Sequence, residues 1–318
     1  MAHSEQVKLH EPNPEQIEIG RYLEEYESGK YVNLLVLVKG AKEEALFNTA
    51  EGKFESEEAA AKIKDRKYQV NYDESNGLIE VRDEEDIAVF TANLKKDEAF
   101  KRTDEIRFIW SNTERYLLIS GSRNDELLID LEEKRKVKLP INDILSIDWS
   151  ADDSISVFER FPEGESRKYP TFIWNLEQNS VIDLGEFSDA SYFWAPDGNY
   201  VFQWRTLVGQ EIVSRYSLEE QSWSVVHETD KSIRDDTFRV LNDNQFIYVG
   251  SAMNDTDDPG EAFLRPNEHF AVKVDTAKEK VYQKQLDTNV LRVAFWNFDS
   301  KILYYQDTTG FYKADVDF

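Results

Sequence analysis

The sequence predicts an all-β chain, a β-propeller of four-stranded blades, and three observations carry that expectation. A Trp-turn-apolar frame recurs about every forty residues. A second signature, an apolar strand followed by a turn and a charged exit, recurs later in each unit. The aromatic load of seven Trp, fifteen Tyr and nineteen Phe suits pleated, half-buried surfaces better than an acidic disordered chain.

The first frame is read by aligning the tryptophans. Trp110 opens Trp-Ser-Asn-Thr-Glu-Arg-Tyr, Trp149 opens Trp-Ser-Ala-Asp-Asp-Ser-Ile, Trp194 opens Trp-Ala-Pro-Asp-Gly-Asn-Tyr, and Trp296 opens Trp-Asn-Phe-Asp-Ser-Lys-Ile. In each, a strand ends on the aromatic, a polar turn follows, and an apolar residue (Tyr116, Ile155, Tyr200, Ile302) restarts a strand six positions on. Tyr72 and Val240 open weaker copies that lead to Leu78 and Phe246. The anchors at 72, 110, 149, 194, 240 and 296 are spaced 38, 39, 45, 46 and 56 residues apart. The second signature is Leu127 to Lys134, repeated at Phe172 to Gln178, Val213 to Glu220 and Ala271 to Lys278. Each unit therefore reads strand, turn, strand, loop, strand, turn, strand, which is a propeller blade. A β-sandwich is the competing architecture, but it has no need of this frame six times in succession.

The turn Trp194-Ala195-Pro196-Asp197-Gly198 resembles the Trp-Ser-Pro-Asp-Gly turn of the TolB-type, WD-like propeller repeat. Trp149 to Asp153 matches it in part. The exits at Asp130-Leu131 and Asn175-Leu176 are similar to that family's aspartate-leucine turn. The resemblance covers residues 67 to 318 and implies architecture, not activity, because this repeat serves unrelated functions. Tyr72 and Val240 depart from it by lacking the Trp.

Residues 16–66 lie outside the clear repeats. Ile17 to Tyr26 and Tyr31 to Val38 read as strands, and Ala45 to Asn48 with Glu51-Gly52-Lys53 resembles a blade exit. Ser56 is a helix N-cap before Glu57, Glu58 and three alanines, so a short helix is expected over 56–65. This region is a degenerate first blade or a small α+β unit. Taken as a blade it raises the six anchored units to seven, so seven blades are expected rather than six, in one domain over residues 1–318. The last unit supplies only three strands, Val290 to Trp296, Ile302 to Gln306 and Phe311 to Val316. Gln6 to His10 alternates apolar with polar and is expected to complete it as the outer strand, with a disordered tail as the competing reading.

Composition bounds the partners. With 63 acids against 38 bases the formal charge is −25, which repels phosphate backbones and anionic membrane surfaces. No nucleic acid and no membrane insertion are expected. A protein is the expected partner. The absence of cysteine excludes disulfides and thiolate chemistry. The start carries no basic or apolar leader pattern, and the longest apolar stretch, Val32 to Val38, is too short to span a bilayer. The chain reads as soluble, either cytoplasmic or a mature ectodomain.

Catalytic motifs are not evident. The histidines are His3, His10, His227 and His269, with no pair at a metal-ligand spacing on one element. No Gly-x-Ser-x-Gly elbow or glycine-rich phosphate loop occurs. No catalytic, cofactor-binding or metal residues are assigned, and no cofactor is expected. The long connection from Ser251 to His269 carries Asp255, Asp257, Asp258 and Glu261, the candidate residues for contact with a partner. Calcium is an alternative there, but Pro259 and Pro266 fall on ligand positions of an EF-hand frame. The function read from these features is a non-enzymatic interaction scaffold. The alternatives are an extracytoplasmic carbohydrate or envelope binder, and a propeller-type hydrolase or lyase with a carboxylate or calcium site at the central channel.

Overall fold

Turn chemistry repeats along this chain more closely than residue identity does. The computed structural model describes residues 6–10, 17–26, 30–38, 41–56, 58–60, 67–97, 100, 106–121, 125–141, 143–160, 168–188, 190–207, 210–252, 268–288, 291–297, 299–307, 309–316 and 318. They form seven antiparallel sheets, each built from strands consecutive in the chain except the last.

Strand β1 (Gln6–His10) comes first in the chain and is used last. The first sheet is β2 (Ile17–Tyr26), β3 (Tyr31–Val38), β4 (Ala41–Asn48) and β5 (Lys53–Phe54). The second is β6 (Tyr68–Asp73), β7 (Leu78–Asp83) and β8 (Ala88–Asn93), three strands among the described residues. The third is β9 (Arg107–Trp110), β10 (Tyr116–Ser120), β11 (Glu126–Asp130) and β12 (Arg135–Val137). The fourth is β13 (Ile144–Trp149), β14 (Ile155–Arg160), β15 (Tyr169–Asn175) and β16 (Ser180–Phe187). The fifth is β17 (Ala190–Trp194), β18 (Tyr200–Leu207), β19 (Gln210–Ser217) and β20 (Ser222–Thr229). In the sixth, β21 (Lys231–Ile233) and β22 (Arg239–Asn242) flank a 3-10 turn and both pair with β23 (Gln245–Ala252), followed by β24 (His269–Asp275) and β25 (Lys280–Leu286). The seventh is β26 (Val293–Trp296), β27 (Ile302–Gln306) and β28 (Phe311–Asp315), with β1 as its fourth strand in the register Gln6↔Ala314, Val7↔Lys313, Lys8↔Tyr312. Residues 16–66 thus give a four-stranded first sheet. The expected helix is described only at 58–60, where Ser56 caps it by accepting the Ala59 N–H at 3.3 Å.

Two turns account for the repeat. Between first and second strands, the residue after each anchor Trp receives the N–H of the residue three positions on. These bonds are Glu114 to Ser111, Asp153 to Ser150, Gly198 to Ala195 and Ser300 to Asn297, all 2.9–3.0 Å. Their donors stand at φ of 61°, 60°, 75° and 59°, the left-handed region that only Gly198 enters without a side-chain penalty. Between third and fourth strands, an Asp, Asn or Ser side chain accepts the N–H three residues on. The pairs are Asp130 with Glu133 at 3.1 Å, Asn175 with Gln178 at 2.8 Å, Ser217 with Glu220 at 3.1 Å, and Asp275 with Lys278 at 3.1 Å. Asn48 does the same for Glu51 at 3.1 Å, so the first sheet shares this turn with the later ones.

Burial explains why strand alternation is faint in the sequence. Middle strands pack on both faces, so β10 (Tyr-Leu-Leu-Ile-Ser) and β11 (Glu-Leu-Leu-Ile-Asp) are buried at every position. Outer strands show the half-exposed pattern instead, with Val181 of β16 and Val281 of β25 exposed.

The chain divides into two compact units. One comprises Met1–Asp65, Thr206–Val213 and Val225–Phe318; the other comprises Arg66–Arg205 and Ser214–Ser224. The core of the first gathers Phe47, Phe295, Tyr304 and Phe311, whose ring centroids lie 5.0–6.1 Å apart. The Tyr304 hydroxyl donates to Thr49 O at 2.8 Å, and a Cβ added at Gly52 (φ 69°) would stand 3.3 Å from it. In the same unit Trp296 is 2% exposed and its indole N–H donates to Thr237 O at 2.7 Å. In the second unit Trp149 stacks on Tyr116 (5.6 Å, 5°) and the Trp194 indole N–H reaches Asp148 O at 3.2 Å. Trp149, Trp194 and Trp296 therefore each pack on the preceding sheet, which is why the position repeats.

Candidate functional site

Position within the strand singles out Asp148. The residue before the anchor Trp is Ile109, Phe193 or Phe295 in the other first strands, and Asp148 alone is charged. It is half-buried beside Trp149 and Trp194; its Oδ1 accepts the Trp149 N–H at 3.1 Å. Burial pushes its carboxyl up to about 7, against the opposing backbone bonds from Trp149 and Trp194.

Three further groups in the same unit hold protons above their ordinary values. Glu126, at the start of β11, is 8% exposed; its Oε1 accepts the Ile144 N–H at 2.5 Å, and its buried Oε2 has no hydrogen-bond partner among the described residues. Burial, with the charges of Asp143 and Asp125 adding to it, raises Glu126 to about 7. Glu159, at the end of β14, accepts the Ser146 hydroxyl at 2.8 Å and is raised by burial, partly offset by that bond. Tyr192 of β17 meets Thr171 Oγ1 at 2.9 Å and accepts Gln203 Nε2 at 3.0 Å. Burial pushes its phenol up to about 12. Successive sheets thus each set an acid of raised proton affinity between their strands. Such groups can donate hydrogen bonds at neutral pH or trade a proton with a ligand.

The imidazoles sit in the other unit. His227 Nε2 lies 2.8 Å from the Tyr248 hydroxyl, its ring edge-on to Phe246, and burial with nearby Lys231 lowers it to about 4. Ser251 Oγ and His269 Nδ1 are 2.7 Å apart, a cross-strand pair at the two ends of the long insertion. The candidate residues inside it, Asp255, Asp257, Asp258 and Glu261, lie outside the described residues. Among the described residues no three His, Cys, Asp or Glu side chains come together as a metal site. No helix of the described residues is long and apolar enough to cross a membrane.

Sequence reasoning missed Glu126, Glu159 and Tyr192 because 63 acids and fifteen tyrosines offer no contrast. Asp148 did carry a signal, visible once the four Trp frames are aligned one residue further upstream.

No family model matches the chain, and no curated protein does. Solved structures do. Oligogalacturonate lyase in complex with manganese aligns over 99% of this chain and 98% of that one at 11% identity, TM-score 0.55. Oligogalacturonate lyase from Vibrio parahaemolyticus aligns over 99% of both at 13% identity, TM-score 0.55. TolB from Acinetobacter baumannii aligns over 92% of this chain and 78% of that one at 10% identity, TM-score 0.42. Identities this low speak for fold alone: the chain has the propeller architecture that the turn at Trp194 to Gly198 implied.

Proposed function

We propose that the chain is a non-enzymatic scaffold that presents the ends and edges of its propeller sheets to a protein partner. The observation that supports this reading is where the shifted ionisable groups are spent. Asp148 braces the Trp149 and Trp194 joint, Glu126 holds the start of β13, Glu159 ties β14 to β13, and His227 ties β20 to β23. Each is a local brace whose hydrogen bond is spent on holding a neighbouring strand or turn. The net charge of −25 favours a basic partner and steers it over distances of about a Debye length, ~8 Å in physiological salt. The insertion that carries Asp255, Asp257, Asp258 and Glu261 is proposed as one contact with such a partner.

The test is a library of extended peptides of graded charge, read by fluorescence anisotropy against the full chain. Basic peptides that bind, weaken with salt and lose affinity when residues 254–261 are replaced by a Gly-Ser linker support the scaffold. A second reading, a propeller-type lyase or hydrolase, draws on Glu126, Glu159 and Tyr192, whose proton affinities burial raises. Turnover of an oligosaccharide panel, with or without added manganese or calcium, that vanishes in Glu159→Gln and Tyr192→Phe would replace the scaffold reading.

A further inference from the structure

Asn-Gly and Asp-Gly each occur once in the chain, and both are turns of the second unit. Asn76-Gly77 joins β6 to β7, and Asp197-Gly198 joins β17 to β18. Both glycines stand in the left-handed region, at φ of 67° and 75°. Their backbone N–H groups are used differently. The Gly198 N–H donates to Ala195 O at 2.9 Å and closes its turn. The Gly77 N–H has no hydrogen-bond partner among the described residues, although Gly77 O accepts the Leu94 N–H at 2.8 Å.

Position 77 has to be glycine. A Cβ there would stand 2.6 Å from Lys95 Cγ and 3.1 Å from Lys95 N, on a backbone that L-residues rarely adopt. Gly77 is buried against that lysine, whereas Asn76 is exposed. The Asn76 Nδ2 donates to Asp73 Oδ2 at 2.7 Å, and the Asn76 N–H reaches Asp73 Oδ1 at 3.2 Å. The Ser75 hydroxyl donates to the same carboxylate at 2.6 Å. These bonds hold Asp73 below the usual carboxylate range, so it is charged at neutral pH. The Lys95 ammonium ties the turn from the other side by donating to Ser75 O at 2.7 Å.

We propose that Asn76 is a site of spontaneous covalent modification, in which its carboxamide cyclises onto the Gly77 nitrogen. That reaction needs a backbone N–H that no acceptor holds, an attacking residue without a side chain, and a carboxamide open to water. Asn76-Gly77 supplies all three. Hydroxide takes the Gly77 amide proton, the nitrogen bonds to Asn76 Cγ, and the Cγ–Nδ2 bond breaks. Nδ2 leaves as ammonia with a proton returned from water, and a five-membered succinimide remains. One water molecule then opens the ring. Opening at Cγ gives aspartate, and opening at the main-chain carbon gives isoaspartate, with the chain routed through Cγ. At Gly198 the same attack would first have to break the bond to Ala195 O. In either product a carboxylate replaces the amide that donates to Asp73, so two negative charges meet in a turn that a hydrogen bond had closed.

Prolonged incubation of the full chain in neutral buffer, then digestion and mass spectrometry that separates aspartate from isoaspartate, tests it. Asn76 should convert ahead of every other asparagine, with isoaspartate among its products, and Lys95→Ala should quicken it by uncovering Gly77. Asp197→Asn writes the same dipeptide into the turn whose glycine N–H is bonded. In those folded molecules position 197 should convert about three- to tenfold more slowly than position 76, the factor that one ordinary hydrogen bond gives. Unfolding the variant in guanidinium chloride should bring the two rates together. An Asn76 still intact after other asparagines have converted would overturn the proposal, as would equal rates at 76 and 197 in the folded variant or slowing by Lys95→Ala. Should Asp197→Asn lower the melting temperature, the parent chain decides: folding that protects Asn76 as strongly as it protects Asn71 in β6 overturns the proposal, and weaker protection at Asn76 supports it. None of these outcomes bears on the scaffold reading, which rests on other residues.

Discussion

Asp153 reaches back to the preceding turn and accepts the hydroxyl of Ser111 at 2.5 Å. The same carboxylate takes the Thr113 N–H at 3.1 Å and the Thr113 hydroxyl, while Ser111 Oγ accepts the Tyr116 N–H at 2.9 Å. Asp153 is 1% exposed and Ser111 is 3% exposed, so water replaces none of these bonds. Asp153→Ala should therefore lower unfolding free energy by about 2–4 kcal/mol, the range for leaving several buried donors unpaired. Asp153→Gly should cost nearly as much although it relieves the left-handed φ, and Asp153→Asn should cost less. Urea denaturation at constant slope checks all three.

Trp296 is the most enclosed of the anchor tryptophans. Truncation to Ala should cost about 3–5 kcal/mol for the cavity, and Trp296→Phe should retain most of the area while losing the bond to Thr237 O, about 1 kcal/mol. Thermal unfolding resolves the two. Equal losses in both variants would mean that the hydrogen bond, not the packing, holds the joint.

Removing residues 1–13 deletes the strand that pairs with β28 in the register Gln6↔Ala314 to Lys8↔Tyr312. The melting temperature should fall by roughly 2–6 °C, the shift a loss of 1–2 kcal/mol gives in a chain of this length. Scanning calorimetry of both forms measures it. An unchanged curve would show that β1 adds no stability.

Protonation should tilt stability in two opposed ways. Asp148 holds its proton up to about 7 when folded, against a usual 3.8, so its contribution is full below the usual value and is lost as pH rises toward 7. His227 titrates at about 4 when folded, against a usual 6.5, so its contribution is full above 6.5 and is lost as pH falls toward 4. Asp148→Asn should thus be more stable than the parent at pH 8, and His227→Gln should blunt the loss on acidification. Each effect is on the order of 2–4 kcal/mol at most. Melting temperatures from pH 4 to pH 8 give both signs. Parallel curves for parent and variants would show that neither group is withdrawn from water.

What was legible in the sequence was the turns. Trp110, Trp149, Trp194 and Trp296 end first strands because a sheet stacked on its neighbour needs one large ring at the same depth each time. Asp130, Asn175 and Asp275 stand where a side chain must satisfy a turn N–H. These local demands leave a residue-by-residue imprint, and even the degenerate first sheet keeps one at Asn48. The 3-10 turn that follows β8 was not legible, because Asn93-Leu94 offers the same start as Asp130-Leu131 and only the backbone beyond it winds differently. Nor were Glu159 and Tyr192 legible, since their proton affinity comes from burial by residues distant in sequence. The composition of the insertion after Ser251 marked it as unusual, but nothing local said what it meets.

The pairing of β1 with β28 also sets an order of events during synthesis. Residues 6–10 are the first of the described strands to leave the ribosome, yet their partner, residues 311–315, is the last. Every earlier sheet can close from segments already made, whereas the seventh must wait for two strands some three hundred residues apart, β1 and β28. Until then the outward edge of β28 and the solitary β1 are each open to other strands, in competition with one another's arrival. Long-range contacts of this kind slow folding, because loop entropy is lost before any contact is gained. A circular permutant that begins near residue 16 and joins residue 318 to residue 1 would turn the most distant strand pairing among the described residues into a hairpin, and it should refold faster than the parent at equal stability.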